Sequence, residues 1–418
     1  MQVNQAHFNT LMDQFSIPSK SKIGIGISGG ADSLFLAVML KEWAKKQHIT
    51  LVALTVNHNL RAEAKQEAED VARQMKKLKI EHHILTYQGP KPTSRIEEQA
   101  RFIRYTLFQD FCAKHGISYV CLAHHSDDQA ETFFARLTRG SGVDGLAAIR
   151  PITHRENLIL LRPMLTLNKT DIIDTLKAKH LTWAEDPMNH DIAFERVRWR
   201  KQLKTLWQTG LTKAGLLLSA KRLARASEAL NFYTDQFIEN YTEIDNRGFA
   251  KIKVEALKKQ PTEIQLRVLS NLINLIGNSP VILSLDAVER VLETPKKRIT
   301  LGHCHLIYNR HFLFIAKEHA RQPLPQNVPA KCWTNWDRFQ VWSAQPAIIR
   351  AGMKKKSEKD IPYLVQQSFP FFEFPKKLEK DEKVDYNPQT TYIETYINFT
   401  PQHKDDKWQN QIIQTKKA

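Results

Sequence analysis

Cysteine is scarce in this chain, and its spacing excludes two kinds of site. The 418 residues include four cysteines, at positions 112, 121, 304 and 332. None of them forms a C-x-x-C pair, so the sequence supports neither a zinc ribbon nor a dithiol redox site. Few, scattered thiols are typical of a reducing compartment, and we expect a cytoplasmic protein whose cysteines serve mainly in packing.

Long apolar runs are also missing. The densest one, residues 34 to 40, is far too short to span a membrane. The polar start of the chain lacks the basic region and apolar stretch of a secretory signal. We therefore expect no membrane partner. The 61 Lys and Arg outweigh the 44 Asp and Glu, giving a net charge of +17. This surplus favours a polyanionic partner, and nucleic acid is the better candidate.

Acidic residues are absent from residue 196 to residue 227, which we call the basic segment. Trp199 and Trp207 lie within it. Such a cluster favours contacts to RNA phosphates, while the simpler alternative is a solvated helix face with core tryptophans. The nine basic residues are Arg196, Arg198, Arg200, Lys201, Lys204, Lys213, Lys221, Arg222 and Arg225.

Apolar runs alternate with amphipathic stretches over the first half of the chain. This pattern predicts an α/β domain over residues 1–204, a doubly wound parallel sheet with helices on both faces. The predicted strands cover 22–27, 51–56, 83–87 and 118–123, and the predicted helices 34–46, 63–79, 95–115 and 128–139. In such sheets, ligands bind beyond the carboxyl ends of the strands.

The pattern changes after about residue 200. We expect a mostly helical domain over 205–322 and a small β-containing region with a partly disordered tail over 323–418. The expected elements are helices over 203–237, 262–276 and 284–293, a hairpin over 299–315 and a strand within 333–349.

A glycine pair separates the first predicted strand from the first predicted helix. The loop reads Ser28-Gly29-Gly30-Ala31-Asp32-Ser33. Two glycines let the backbone approach a ligand, and N–H groups at a helix start face an anion. Because the Asp32 carboxylate repels phosphate, it makes sense as a ligand of Mg²⁺. The alternative is an ordinary helix start capped by Asp32 or Ser33.

The loop contains no G-x-x-x-x-G-K-[ST] and so is not a Walker A motif. It resembles the S-G-G-x-D-S signature of the N-type ATP pyrophosphatases, the PP-loop superfamily. The resemblance implies that Ser28 to Ser33 bind ATP, that ATP is cleaved between its α and β phosphates, and that an adenylated substrate releases AMP.

Further motifs follow the loop along the first half of the chain. They are V-N-H-N-L-R at 56–61, I-E-E-Q-A-R-F-I-R-Y at 96–105, A-H-H-S-D-D-Q-A-E-T at 123–132, R-G-S-G-V-D-G-L at 139–146 and E-D-P-M-N-H-D at 185–191, which runs on through Phe194 to R-V-R-W-R at 196–200. These segments resemble the patterns of the tRNA(Ile)-lysidine synthetase family within that superfamily, with departures at Asn57, Asn59 and Val197. The resemblance implies transfer of L-lysine to the wobble cytidine of tRNA(Ile) with a CAU anticodon.

Roles follow from the expected placement of these segments on one sheet edge. Asp32 and Asp128 could share a Mg²⁺ ion, and His124 could donate to the α-phosphate during adenylation. Glu131 could bind the ammonium of lysine or accept its proton. Further substrate contacts are assigned to Arg139, Arg196, Arg198 and Arg200.

Competing interpretations stay open at this stage. Ser126 with Gln129 forms a plausible capping box at the start of the helix. The protein could instead be a tRNA thiolase of the same superfamily, or a non-catalytic RNA-binding protein with a degenerate nucleotide fold. The positions of the cysteines argue against the first, and Ser28, Asp32 and Asp128 against the second. The oligomeric state is left open.

Overall fold

The computed structural model divides the chain into two compact units, Met1–Glu228 and Ala229–Ala418. It describes residues 2–59, 64–91, 96–155, 157–184, 195–279, 283–293, 297–337, 339–352, 360–373 and 395–399. The boundaries expected after residues 204 and 322 differ from this division and stay predictions. The motif at 185–191, Phe194 and most of the tail from residue 376 lie outside the described residues.

The first unit alternates strands with helices, as its sequence predicts. The last helix, α9, crosses the division between the units. In order, the elements are α1 (Gln5–Asp13), β1 (Lys22–Gly26), α2 (Ala31–Gln47), β2 (Thr50–Asn57), α3 (Ala64–Lys77), β3 (Glu81–Thr86), α4 (Ile96–His115), β4 (Tyr119–Cys121), α5 (Ser126–Leu137), α6 (Val143–Leu146), β5 (Ile152–Arg155), β6 (Leu158–Leu161), α7 (Lys169–Ala178), α8 (Glu195–Gln208) and α9 (Lys213–Tyr241).

These strands form a sheet in the order β3-β2-β1-β4-β6-β5. All neighbours pair in parallel except β5, which pairs antiparallel with β6. The predicted doubly wound α/β class is therefore confirmed. Because β1, β4 and β6 are parallel neighbours, the loops that follow them meet at one edge of the sheet, which we call the active edge.

Each face of this sheet has its own apolar core. Ile23 and Ile25 of β1 pack with α2 on one face. Tyr105 and Phe108 of α4 pack with Leu158 and Leu160 of β6 on the other. Side chains alternate between the two faces of a strand, so one short strand can supply both cores. The helices α1, α3 and α7 add residues to the α2 face.

The second unit combines helices with antiparallel sheets. One sheet has the order β7-β8-β11-β10-β9, and two smaller ones have the orders β12-β15-β16 and β13-β14-β17. Its elements are β7 (Thr242–Asp245), β8 (Phe249–Lys253), α10 (Val254–Lys258), α11 (Thr262–Gly277), α12 (Leu285–Glu293), β9 (Arg298–Leu301), β10 (Cys304–Tyr308), β11 (Phe312–Lys317), a 3₁₀ turn (His319–Arg321), β12 (Gln326–Val328), β13 (Thr334–Trp336), β14 (Phe339–Ser343), β15 (Ala347–Ala351), α13 (Tyr363–Gln366), β16 (Pro370–Glu373) and β17 (Thr395–Phe399).

Three predictions for the later part of the chain need correction. The single helix expected over 203–237 is two helices, since Gly210 adopts a φ of 96° between α8 and α9. The hairpin around Asn309 is confirmed, but Gly302 and His303 make a second turn that adds β9. The strand expected within 333–349 is divided among β13, β14 and β15.

A helix that spans a membrane needs about 20 consecutive apolar residues. Among the described residues, none is both long and apolar enough to cross a membrane.

Candidate active site

The glycine-rich loop joins β1 to the start of α2. Gly29 has a φ of 85°, a conformation that other residues rarely adopt. A Cβ atom there would lie 2.9 Å from Val71 Cγ2, so a larger residue would also collide with α3. Gly30 is the N-cap of α2, and no side chain caps that helix. The alternative in which Asp32 or Ser33 is an ordinary cap is therefore wrong.

Hydroxyl groups fix the shape of this loop from within. The backbone N–H of Ser28 donates to Ser33 Oγ at 3.2 Å, and Ser33 Oγ donates to the Gly30 carbonyl at 3.0 Å. The two hydroxyl oxygens, Ser28 Oγ and Ser33 Oγ, lie 3.3 Å apart. Among the described residues, the N-cap of α2 makes no side-chain hydrogen bond to the N–H groups of the first turn, which suits anion binding.

Asp32 lies between two basic residues from distant parts of the chain. Lys169 Nζ donates to both of its carboxylate oxygens at 2.6 Å. His125 Nε2 lies 3.6 Å from Asp32 Oδ2. Burial alone would raise the pKa of Asp32, but His125 and Lys169 outweigh it and lower that pKa. Asp32 is therefore ionised and held by cations at the active edge.

His125 is the centre of this group. Its Nε2 also lies 3.5 Å from Asp128 Oδ2, and its Nδ1 lies 3.5 Å from Asp127 Oδ2. Although burial opposes the charged form, hydrogen bonds to Asp127 and Asp32 and the charges of Asp128 and Asp32 raise the pKa of His125 to about 10. A protonated imidazole thus balances three converging carboxylates.

The local start of α5 explains why His125 is placed there. His125 is the N-cap: its own N–H donates to Asp128 Oδ2 at 2.9 Å, and its ring Nδ1 lies 3.2 Å from the backbone nitrogen of Asp127. The predicted capping box of Ser126 with Gln129 is therefore wrong. Ser126 is the first helical residue, and its N–H donates to the Leu167 carbonyl.

His124 lies one residue earlier, with its Nδ1 buried and without a hydrogen-bond partner among the described atoms. Burial lowers the pKa of His124 to about 3, and Arg162 and Arg196 add to this while Asp128 opposes it. His124 is therefore neutral at pH 7, able to offer an N–H. The sequence assigned the catalytic histidine to His124, but the structure brings His125 to the two aspartates.

Glu131 and Arg200, both predicted substrate residues, pair with each other. Arg200 Nε donates to Glu131 Oε1 at 2.8 Å. Glu131 is 2% exposed, and its Oε2 has no described hydrogen-bond partner. Burial raises the pKa of Glu131, which Arg200 only partly offsets. One oxygen is thus held in place while the other is left as an acceptor.

The other predicted arginines lie on and beside α8. Arg196 Nη1 is 4.0 Å from Asp128 Oδ1 at the active edge. Arg139, at the end of α5, pairs with Glu195 and is exposed. Arg198 is exposed on α8. Arg196 is therefore the member of this set that directly joins the aspartate group.

The basic segment is partly used inside the first unit. Besides Arg196 and Arg200, Lys213 binds a carboxylate of α5, namely Asp127. Trp199 stacks on Phe134 with ring centroids 5.6 Å apart, and Trp207 packs on an apolar cluster of α5, α8 and α9. The tryptophans thus fit the packing alternative, and the remaining cations of the segment are the candidates for contacts to RNA.

Two departures from the family pattern have local explanations. Asn59 adopts a φ of 53°, and its N–H donates to Asn57 Oδ1 at 2.9 Å. Asparagine tolerates this left-handed conformation better than most residues, so Asn59 can replace a glycine. Val197 is 7% exposed on α8, where an apolar side chain is buried without an unpaired amide.

The chemistry of the acidic group fits a magnesium ion. The Asp32 and Asp128 carboxylates both approach His125 Nε2, so their oxygens converge. Mg²⁺ takes one or two carboxylates and completes its shell with water and substrate phosphates. Among the described residues, no group of three His, Cys, Asp or Glu is arranged as a complete metal site. The pair suits an ion that arrives with a phosphate.

Neither Lys169 nor the role of His125 was anticipated from the sequence. Lys169 is 137 positions from Asp32, and no local pattern marks it. The choice between His124 and His125 depends on where β4 ends, which a sequence pattern does not fix to one residue.

Comparisons with known proteins agree with this geometry. The family described as the PP-loop domain matches residues 1–206. A protein named tRNA(Ile)-lysidine synthase from Wolbachia pipientis is 32% identical over 386 residues, covering 89% of each chain. One of the same name from Ruegeria pomeroyi is 36% identical over 269 residues, covering 64% of each. A solved U34-tRNA thiolase from Methanococcus maripaludis, 17% identical, covers 52% of this chain and 78% of its own, and its TM-score of 0.45 is too low for inference.

Proposed function

The chain belongs to the tRNA(Ile)-lysidine synthase family, and we propose from this that it ligates L-lysine to the wobble cytidine of a CAU-anticodon tRNA(Ile). ATP adenylates the cytidine with release of pyrophosphate, and the amine of lysine then displaces AMP. The observation that carries the proposal is the convergence of Asp32, His125 and Asp128 beside the Ser28–Ser33 loop.

The loop supplies the ATP-binding part of the reaction. The backbone of Gly29 and Gly30 can approach the pyrophosphate closely, and the uncapped start of α2 offers N–H groups and the positive end of the helix dipole. Ser28 and Ser33 can donate hydroxyl hydrogen bonds to the same phosphates. His124, neutral and buried, can donate to the α-phosphate as charge builds on it.

Asp32 and Asp128 are the residues that would hold Mg²⁺. When bound, the ion neutralises phosphate charge and so favours attack at the α-phosphorus. Lys169 donates to the Asp32 carboxylate, and His125 lies beside both carboxylates, so these two residues orient the pair.

Glu131 is the best candidate for contact with lysine. Its Oε2 is an unpaired acceptor in a buried position, and an ammonium group would satisfy it. The raised pKa also suits Glu131 to accept a proton, which the attacking amine must lose. Arg200 holds the opposite oxygen and thereby orients the carboxylate.

A tRNA thiolase is the less favoured candidate. Burial raises the pKa of both Cys112 and Cys121 to about 12. Thiols of this kind stay protonated and are poor nucleophiles. Cys304 is also buried, which leaves Cys332 as the exposed thiol of the chain.

A lysine-transfer assay tests the proposal. The protein is incubated with labelled lysine, ATP, Mg²⁺ and a tRNA(Ile) transcript with a CAU anticodon, and a C-to-U change at the wobble position is the matched control. We expect label in the first RNA and none in the control. No transfer to the CAU transcript by folded protein that binds it would refute the proposal.

A further inference from the structure

The α4 face of the sheet carries a second group of cations. Three arginines surround the ring of Tyr105, and we call Arg101, Tyr105, Arg155 and Arg162 the arginine–tyrosine cluster. The Arg155 and Arg101 guanidinium carbons lie 4.3 and 5.2 Å from the ring centroid. The charge of Arg162 also interacts with the same tyrosine, which opposes the fall in the pKa of this guanidinium. Three positive charges are thus gathered on one buried ring.

The strand register explains why these side chains meet. Arg155 pairs with Leu158 and Thr153 with Leu160, so all four point to the α4 face. Arg162 follows Leu160 by two positions and faces the same way. Its Nη1 donates to the Arg150 carbonyl and to Thr153 Oγ1, each at 2.9 Å.

The charge of this cluster is uncompensated within the described residues. Arg162 is 3% exposed, yet no described carboxylate pairs with it, and its Nε has no described hydrogen-bond partner. Burial lowers the pKa of Arg162, and Arg101 and Arg155 lower it further. A buried cation without an anion is costly, so an anion that joined the cluster would stabilise it.

The cluster is open on one side. Tyr105 and Arg162 are buried, Arg155 is half-buried and Arg101 is exposed. An anion can therefore reach it from solvent, meeting Arg101 first. Guanidinium groups match the geometry of phosphate oxygens and bind them with two parallel hydrogen bonds.

We propose that the arginine–tyrosine cluster binds a backbone phosphate of the RNA substrate close to the reacting nucleotide. The inference rests on the proposed function. ATP binds at the Ser28–Ser33 loop, whose helix α2 packs on the other face of the sheet. The cluster lies on the α4 face, and Arg162 follows β6, next to the strand that leads to His124. Arg162 and Arg101 also contribute to the lowered pKa of His124, so the cluster is within electrostatic reach of the active edge.

Charge-removing variants at the open side test this site. Arg101→Gln and Arg155→Gln should each raise the KM for tRNA about tenfold, the effect of losing one charge-assisted hydrogen bond. The KM for ATP should not change. Arg73→Gln is the matched control, since Arg73 is an exposed arginine of α3 that pairs with Asp70. A rise in the KM for ATP alone would overturn the assignment to RNA, as would an unchanged KM for tRNA.

Neutral phosphates locate the contact without depending on turnover. Anticodon stem-loop RNAs with a single methylphosphonate, moved through the loop, are titrated against full-length wild type and Arg155→Gln by fluorescence anisotropy. At one position the methylphosphonate should weaken RNA binding to the wild-type protein about tenfold. The same methylphosphonate should have little further effect on RNA binding to the Arg155→Gln variant. Equal losses in both proteins at every position would overturn the proposal. Because binding is measured directly, failure of lysine transfer would not be confused with failure of this site.

Discussion

At the scale of single residues, the active edge is defined by charges that balance one another. Asp32 touches Lys169 and lies near His125, and Asp128 lies near His125 and Arg196. Cations of α7 and α8 and the imidazole at the start of α5 thus surround these carboxylates. In the proposed reaction, an incoming Mg²⁺ or phosphate replaces some of these contacts, so its binding energy is the difference between two sets of contacts.

Removal of either carboxylate charge should stop AMP formation. Asp32→Asn and Asp128→Asn keep the shape of each side chain, and asparagine can still accept the hydrogen bond that Asp128 receives at the start of α5. We expect AMP release to fall by about a hundredfold or more, with tRNA affinity nearly unchanged. Asp13→Asn, at the exposed end of α1, is the control. Normal AMP release by either variant would remove that residue from the proposed magnesium site.

His58 should make the protein sensitive to mild acid. Burial and the nearby Arg104 lower the pKa of His58 to about 4. The unfolded chain binds this proton near pH 6.5, so stability is lost as the pH falls from about 6.5 towards 4. His58→Gln should lose less free energy of unfolding over this range than wild type, as measured by urea titration. His7→Gln, at an exposed position of α1, should behave like wild type, and identical slopes in all three proteins would contradict the prediction.

The sequence predicted which residues form the site better than it predicted the contacts that these residues make with one another. Ser28, Asp32 and Asp128 stand in local motifs, and the fold brings Asp32 and Asp128 to one edge. Lys169 could not be found, because its contact with Asp32 depends on the packing of α7 against α2. The pairing of Glu131 with Arg200 likewise depends on how α8 packs against α5, which periodicity does not reveal.

At the scale of elements, long and regular hydrophobic patterns predict the helices and strands of the first unit correctly, whereas short or largely polar segments do not reveal theirs. The strands β1 to β4 lie where the sequence predicts them, although β4 has 3 residues, fewer than the predicted range 118–123, and their parallel order agrees with the helices between them. Helix α1 was missed because its sequence is largely polar; it is held by an Asn4 cap and the burial of Phe8 and Met12. The pair β5 and β6 was missed because each has four residues, too few to show a period.

Helix α8 should contribute to RNA binding through the residues that α5 does not use. Lys201 and Lys204 are exposed, whereas Arg196 and Arg200 are near carboxylates of α5. The double variant Lys201→Glu, Lys204→Glu should bind tRNA more weakly, and its affinity should depend less steeply on salt.

The control for that variant has the same change in charge at another place. Lys45→Glu with Lys46→Glu alters the exposed last turn of α2, whose first turn is at the active edge. Binding is measured by filter retention at several salt concentrations, with thermal unfolding as a check of folding. If the two double variants bind tRNA with equal affinity, then Lys201 and Lys204 of α8 contribute no more to RNA binding than Lys45 and Lys46 of α2.

At the scale of the whole molecule, the cations of the first unit lie in three different environments. Some cations orient Asp32 and Asp128, others surround Tyr105, and others, such as Lys201, face solvent. Composition predicted a polyanionic partner but could not separate these uses, because each depends on which anion lies nearby. The net charge of +17 therefore includes cations that bind carboxylates of the protein, cations that surround Tyr105 and cations that face solvent.

The burial of three of the four cysteines gives the experimenter a chemical handle. Cys112, Cys121 and Cys304 are enclosed in apolar cores, and Cys332 is exposed in the second unit. A maleimide dye should therefore attach to one position of the native, unmutated protein, and to all four after unfolding in denaturant. Mass spectrometry would count the adducts, and more than one on the folded protein would contradict the expectation. A single fluorophore on Cys332 would then report on the second unit, away from the proposed active site in the first.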